Sequence, residues 1–517
     1  MKQLLGLILC AALFAAILPP NGSAAPPRRA PAAQSSATPM PEAQEEAPDA
    51  VTAHTAVIGG QSYAYTARAG TITLRDTKEK PTARIFYTAY TLDGADPATR
   101  PVTFLYNGGP GSSTMWLRMG SFGPVRVRAA DGTAAGPPPY RIENNPNSLL
   151  DKSDLVFIDM PDSGFGRIFG DTKTFFGVDQ DVAAFGQFIQ RYITTFGRWN
   201  SPKFLFGESY GTTRSAALAD YLLHQGVALN GIVLLSSILS FGVDYSNGDP
   251  IASGDWAYVL YLPTEAATAW YHGKIRNQPD LPAFLNGVEQ FAMGEYLDAL
   301  YKGSSLSASE RNDVAAKLSG YLGVSQQYVR ESNLRVPYWR FEQQLLRSQG
   351  LIVGRLDARY QTYALDRAAN EGPAWDPTDS SIDAPYTTAI NQYLRDDLKY
   401  NTSLQYRPNV YGIIYANGNS WDFSHNGREP TNVAPDLAEA MTQNPHLRVF
   451  SANGYYDFAT PFFATMYTLG HLNLAPALRQ NITYGFYQSG HMVYLHDDAL
   501  AQFKADLARW YDTAMGS

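Results

Sequence analysis

The feature that most constrains this chain is a series of short, mainly apolar runs, each ending in a loop that carries glycine or an acid. Val102–Tyr106 leads into Asn107-Gly108-Gly109-Pro110-Gly111, Leu155–Ile158 into Asp159, and Phe204–Phe206 into Gly207. Ile232–Leu235 follows a helical pattern over Thr212–Leu223. Short runs without polar alternation suit strands buried on both faces. Strand, loop, helix, strand is the order of a mostly parallel sheet with helices on both faces, so the fold class is α/β. Upstream strand signals lie at Ser62–Ala67, Thr71–Leu74 and Arg84–Tyr90, with Gly70 and Asp76–Pro81 as turns. They resume late, at Leu447–Ser451 and Ile482–Tyr487, and an amphipathic helix over Asp498–Tyr511 closes the chain.

Between about residues 240 and 400 the pattern is helix-like and rich in Tyr, Trp and Leu. A separate helical domain would read the same way. The later return of the strand pattern favours a mainly helical cap inserted into the catalytic domain, which 517 residues can accommodate. The expected organisation is a signal peptide over 1–25, a linker over 26–50, a core over 51–240, the cap over 241–400 and the rest of the core over 401–517.

The N-terminus predicts export to the periplasm or the outside of the cell. Lys2 precedes an apolar stretch from Leu4 to Leu18, then Pro19-Pro20 and the small residues Ser23-Ala24-Ala25. The stretch is too short for a membrane span and fits a cleaved signal, so no stable membrane insertion is expected afterwards. Residues 26–50, rich in Pro, Ala, Gln and Glu, have too few large apolar groups to offset ordering entropy. The one cysteine, Cys10, lies inside the signal. The mature chain therefore has no disulfide scaffold, cysteine nucleophile or thiolate metal site. A net charge of -8 without a basic stripe argues against nucleic acid as a partner. No Walker loop, zinc-type histidine spacing or dinucleotide fingerprint is visible, and no metal or organic cofactor is implied.

Gly207-Glu208-Ser209-Tyr210-Gly211 fits the strand-to-helix turn G-x-S-x-G that lifts a nucleophilic serine above a sheet. With 43 glycines, chance supplies about 0.2 matches in such a chain, so context must carry the motif. The buried run Lys203–Phe206 before it and the helical pattern after it provide that context. A serine that attacks an acyl carbon needs two donors for the oxyanion. The backbone N–H of Tyr210 is one, and a glycine-rich loop after an earlier strand supplies the other. Asn107–Gly111 stands in that place, although Gly-Gly-Pro-Gly is also an ordinary tight turn. The acid and histidine should follow the serine, each after a late strand. Asp457 and His491 do so, and His496 and His471 fall in helical surroundings. These orders specify an α/β-hydrolase fold with Ser209, Asp457 and His491 as a triad.

The blocks Asn107–Ser113, Gly207–Gly211, Asn453–Asp457 with Pro461, and Gly490–Val493, in this order, resemble the serine carboxypeptidase family. The resemblance covers most of residues 55–240 and 435–517. It implies a serine-type carboxypeptidase that removes C-terminal residues from peptide substrates at acidic pH. It further implies that Gly109 and Tyr210 donate to the oxyanion, and that Asn107 and Glu208 bind the substrate's terminal carboxylate. Beside such a carboxylate, like charge and burial would raise the proton affinity of Glu208. The bland alternative for Glu208 is an acid favoured by the following helix N-terminus. The chain departs from the family pattern in three places. Ser112 replaces a cysteine, Tyr455 replaces an aspartate, and Met115–Pro124 holds Arg118 but no acid where many members carry a further carboxylate ligand. The same triad would serve an esterase or acyltransferase, and a non-catalytic binding protein is a third reading.

Overall fold

The computed structural model describes residues 47–242, 254–416 and 420–516. The expected signal 1–25, Cys10 and most of the linker lie outside the described residues.

One sheet of ten strands organises the described chain. Strands β1 (Ala50–Ile58), β2 (Gln61–Arg75) and β3 (Pro81–Leu92) pair antiparallel in sequence order. They are followed by β4 (Val102–Tyr106), β5 (Asp154–Ile158), β6 (Lys203–Glu208), β7 (Gly231–Leu235), β8 (Arg448–Gly454) and β9 (Ile482–Tyr487). The spatial order is β1-β2-β3-β5-β4-β6-β7-β8-β9, and the two-residue strand Arg167–Ile168 pairs with β3. From β5 onward every pairing is parallel. All residues of β4 to β7 are buried, which is why the sequence shows apolar runs there rather than alternation.

Successive side chains of these strands feed two cores. Phe104, Leu205, Ile232, Leu234 and Val449 pack with Phe185 and Phe188 of α2 (Val178–Thr195) and Leu218 and Leu222 of α3 (Tyr210–His224). Leu105, Phe204, Phe206, Val233, Leu235 and Phe450 point the other way, toward Phe503 and Trp510 of the C-terminal helix. Each such side chain contributes about 1.5–3 kcal/mol by leaving water. The short helix α1 (Met115–Gly120) lies between β4 and β5 in the chain.

At the open edge one expectation is corrected and one strand is added. Gly70 is not a turn: β2 runs through it without a break. A Cβ at residue 70 would lie 2.0 Å from Oδ1 of Asp49, so glycine is needed for close approach inside a strand. Strand β1, absent from the sequence reading, exposes Val51 and Val57 and buries only Ala56 and Ile58, too faint a pattern to stand out.

Between β7 and β8, helices predominate. They include α4 (Trp256–Tyr271), α5 (Tyr338–Gln344) and α6 (Pro377–Gln392), with a small hairpin of Leu351–Val353 and Gln361–Tyr363. These elements have their own core, which takes in Tyr456, Phe458, Phe462 and Phe463 from the segment after β8. Phe458 meets Tyr338 and Phe341 of α5, with ring centroids 6.1 and 5.8 Å away. The helical insertion is thus keyed onto the loop that carries Asp457. Helices α7 (Ala434–Gln443) and α8 (Asp497–Ala514) complete the second half. Among the described residues no helix is long and apolar enough to cross a membrane.

Candidate active site

Strand β6 continues through Gly207 and Glu208, and Ser209 turns out of it with φ 60° and ψ -131°. A serine in this region stores about 1–3 kcal/mol of strain, so the surroundings must impose it. They do so at both ends. Ser209 N donates to Leu235 O at 3.0 Å, and Thr212 returns bonds from N and Oγ1 to Ser209 O at 2.8 and 2.7 Å. A Cβ at Gly207 would sit 2.1 Å from Gly211 O, so the turn closes only with glycine before the bend.

Asp457 lies three residues past β8 and His491 four past β9, both buried. Because β7, β8 and β9 are parallel neighbours next to β6, these loops open at the same sheet edge as Ser209. His491 Nδ1 donates to Asp457 Oδ2 at 2.8 Å. Asp457 Oδ1 accepts Ala459 N at 2.8 Å and Thr460 N at 3.0 Å, and Thr460 Oγ1 donates to Oδ2 at 2.6 Å. Ser236, at the end of β7, donates from Oγ to His491 O at 2.6 Å, and His491 N reaches Leu356 O at 2.7 Å. The His491 backbone is therefore held from the core and from the helical insertion, while Asp457 holds the ring. With Nδ1 engaged, Nε2 is the nitrogen left to exchange a proton. Among the described residues Ser209 Oγ makes no hydrogen bond to His491. Burial opposes a charge on His491, but Asp457, through charge and hydrogen bond, and then Glu208 raise its proton affinity overall.

The glycine loop lies directly on the elbow. A Cβ at Gly108 would stand 2.5 Å from Tyr210 N and 2.6 Å from Gly211 N, so loop and helix start share one small space. Gly109 is the next residue of that loop. Arg214 anchors the assembly from α3. Its Nη1 donates to Asn107 O at 3.0 Å, while Nε and Nη2 grip Asp181 of α2 at 2.7 and 3.1 Å. Both partners are fully buried, and the guanidinium lies 3.9 Å from the Phe185 ring centroid.

Glu208 is buried beside Ser209 and accepts a hydrogen bond from Tyr494 Oη to Oε2 at 2.9 Å. Burial pushes its carboxyl up to about 7, and the Asp457 charge adds to this. The His491 charge and hydrogen bonds from Tyr494 and Asn107 pull the other way. Asn107 Oδ1 accepts Leu117 N at 3.0 Å, which turns its amide Nδ2 toward Glu208 as a donor. The structure thus brings Asn107 and Glu208 together. Arg118 takes no part: it is buried in an ion pair with Asp159 at 3.0 Å.

Sequence reasoning missed Thr460, Tyr494 and Arg214. The run Asp457-Phe458-Ala459-Thr460 carries a detectable signal, an aspartate whose side chain caps the next two or three N–H groups. Nothing in spacing marks Tyr494. Among the described residues Asp220, His224 and Glu439 bring three possible metal ligands within 4.8 Å of one another, on the outer sides of α3 and α7.

Residues 61–277 match the serine carboxypeptidase family model, a stretch that takes in the glycine loop and the elbow but neither Asp457 nor His491. Serine carboxypeptidase-like 45 of Arabidopsis thaliana is 26% identical over 202 residues, which is 37% of this chain. The chain spans 39% of that relative's length. Among solved structures, the prohormone-processing carboxypeptidase Kex1 of Saccharomyces cerevisiae aligns with 87% of this chain and 92% of its own, at 16% identity and a TM-score of 0.49. A proline iminopeptidase of Mycobacterium smegmatis aligns with 90% and 99%, at 12% identity and 0.35. Over residues 61–277 the chain is similar to the serine carboxypeptidase family, and its sheet order and strand-to-helix elbow are those of an α/β-hydrolase.

Proposed function

We propose that this protein is a serine-type carboxypeptidase that removes C-terminal residues from peptides through an acyl-enzyme on Ser209. The observation that carries this reading is Glu208, a buried carboxyl with raised proton affinity directly before the elbow serine and facing Asn107. Acyl transfer as such has no need of a titratable group there. In the proposed reaction, neutral His491 takes the Ser209 proton at Nε2 while Asp457 holds Nδ1. Ser209 Oγ attacks the carbonyl carbon, and the backbone N–H groups of Gly109 and Tyr210 receive the oxyanion. His491 then delivers its proton to the leaving amine. Water, deprotonated by His491, hydrolyses the acyl-enzyme and restores Ser209. The leaving residue's carboxylate is held by Asn107 Nδ2 and protonated Glu208. This chemistry uses no metal or organic cofactor.

The pH dependence follows from the sign of the shift. Below about 7 Glu208 is neutral and donates to the substrate carboxylate; above it, two like charges face each other. Efficiency on free-acid peptides therefore falls as pH rises through about 7, which gives an acidic optimum. Peptide amides lack this limb.

The test pairs a fluorophosphonate probe with acid and amide forms of one peptide. Labelling that disappears in Ser209→Ala, with an acid preference of about 100-fold or more at pH 5, supports the reading. Equal cleavage of the two forms would move the assignment to an esterase or acyltransferase on the same triad. Absence of labelling in folded protein would move it to a binding protein. Residues 1–25 are read as the export signal, so the enzyme acts in the periplasm or outside the cell; a mature N-terminus still at Met1 would refute this.

A further inference from the structure

Glu208 has a setting that the reaction scheme above leaves unused. Two tyrosines from distant parts of the chain lie near its carboxyl. Tyr494, three residues after His491, donates to Glu208 Oε2 at 2.9 Å. Tyr386 comes from α6, in the helical insertion, and the charge of Glu208 acts on its hydroxyl. Both rings are 1% exposed. They meet over Gly120, at the end of α1. A Cβ there would lie 2.3 Å from Tyr386 Oη and 2.8 Å from the Cδ2 and Cε2 edge of Tyr494. Glycine at 120 is therefore what lets both phenols reach this place, and it puts the Tyr386 oxygen beside the Tyr494 ring. Among the described residues the Tyr386 hydroxyl makes no hydrogen bond, and it is not one of the fully enclosed unpartnered polar atoms, so the oxygen borders open space and is free to donate.

We infer that Tyr386 and Tyr494 complete the carboxylate subsite: Tyr386 Oη is a direct donor to the substrate's terminal carboxylate, and Tyr494 is a positioning residue that fixes which oxygen of Glu208 carries the proton. This rests on the carboxypeptidase reading. A neutral carboxyl has one O–H and one carbonyl oxygen. Because Tyr494 donates to Oε2, that oxygen is the acceptor, and the proton sits on Oε1. The Asn107 side chain also acts on Tyr494, so donor, phenol and acid are neighbours. A carboxylate entering here meets Asn107 Nδ2, Glu208 Oε1–H and Tyr386 Oη–H. Three donors satisfy a group that α1, with no acid or free base in Met115–Gly120, would otherwise leave short. The charged and titratable groups facing Glu208 are His491, Asp457, Tyr494 and Tyr386, and of these Tyr494 is the neutral donor bonded to it.

The experiment compares wild type, Tyr386→Phe and Tyr494→Phe on acid and amide forms of one blocked dipeptide from pH 4 to 9, with active sites counted by fluorophosphonate titration. Both variants should raise KM for the acid about 10-fold, as expected for loss of a hydrogen bond involving a charge, while kcat changes far less. Their amide kinetics should stay within about two-fold. Tyr494 stabilises ionised Glu208, so its removal raises that group's pKa, and in Tyr494→Phe the alkaline limb for the acid should move to higher pH. Tyr386→Phe should leave the limb nearly in place. If a tyrosine variant does not fold, Gly120→Ala displaces the same two rings and must give the same KM defect confined to the acid. Equal losses on acid and amide, or an unchanged KM for the acid, would overturn the inference. A wild type that does not distinguish acid from amide would instead overturn the carboxypeptidase reading beneath it.

Discussion

Replacing Asp457 by asparagine would separate the geometry of the triad from its proton chemistry, and the structure says how the amide must lie. Asp457 accepts four hydrogen bonds: Ala459 N and Thr460 N on Oδ1, Thr460 Oγ1 and His491 Nδ1 on Oδ2. Two backbone N–H groups cannot turn away, so the asparagine oxygen has to stay on their side. Its NH2 then faces Thr460 and His491. An N–H facing Nδ1 makes that nitrogen an acceptor, which puts the ring proton on Nε2 and leaves no base toward Ser209. Such a tautomer change costs about 10⁴-fold in kcat, or about 5.5 kcal/mol of transition-state stabilisation. Volume is nearly unchanged and three of the four contacts can persist, so the fold should hold. Single-turnover acylation of an activated ester, normalised by circular dichroism and thermal melting, reads the effect directly. Loss of less than about 10-fold, in a variant that melts like wild type, would refute the proposed role of Asp457 and the tautomer argument with it.

Three further outcomes are expected. Glu208→Gln, which can donate without titrating, should flatten the alkaline limb of kcat/KM near pH 7 on acid peptides; an unchanged profile measured on the same peptides would count against Glu208 as the group responsible. Arg214→Met strands a buried Asp181 and frees the glycine loop, and should cost about 3–5 kcal/mol in urea unfolding. His425 donates from Nδ1 to Asp179 at 2.6 Å and from Nε2 to Asp436 at 3.0 Å, and these carboxylates hold its pKa up at about 9. A folded-state pKa above the unfolded value contributes stability that is complete below about 6.5 and gone once pH passes about 9. The difference in urea midpoint between wild type and His425→Gln should therefore be largest at pH 6 and vanish by pH 10.

Much of the fold is legible in the sequence because parallel strands buried on both faces leave short apolar runs, here bounded by glycine-rich or acidic loops. Val102–Tyr106 and Ile232–Leu235 are observed with those bounds, apart from one residue at the second. Loops that follow such strands must open at one sheet edge, and this geometry allows Ser209 to be named together with Asp457 and His491, which follow far downstream. What could not be read is whatever depends on packing between distant segments. The edge strand Ala50–Ile58 has half its side chains in water, and Gly70 looks like a turn until Asp49 is seen to fill the space beside it. Arg214 and Asp181 look like surface charges on helices until they are found paired and fully buried in the core. Tyr386 and Tyr494 meet over Gly120, and no spacing rule connects 120, 386 and 494.

The position of Glu208 next to the elbow also ties binding to catalysis in a way that a triad alone does not. The negative charge of Glu208 is one of the influences that raise the proton affinity of His491, and the positive charge of His491 is the largest that lowers that of Glu208. Protonating Glu208 prepares the subsite for a carboxylate and, by the same act, withdraws a charge that made His491 harder to deprotonate. The proton that readies the binding group thus favours the neutral base. Placed farther away, an acid of the same pKa would bind carboxylates in acid, but its protonation would leave the basicity of His491 unchanged. Adjacency makes the two titrations one coupled event: the proton that prepares the carboxylate site also lowers the proton affinity of the catalytic base.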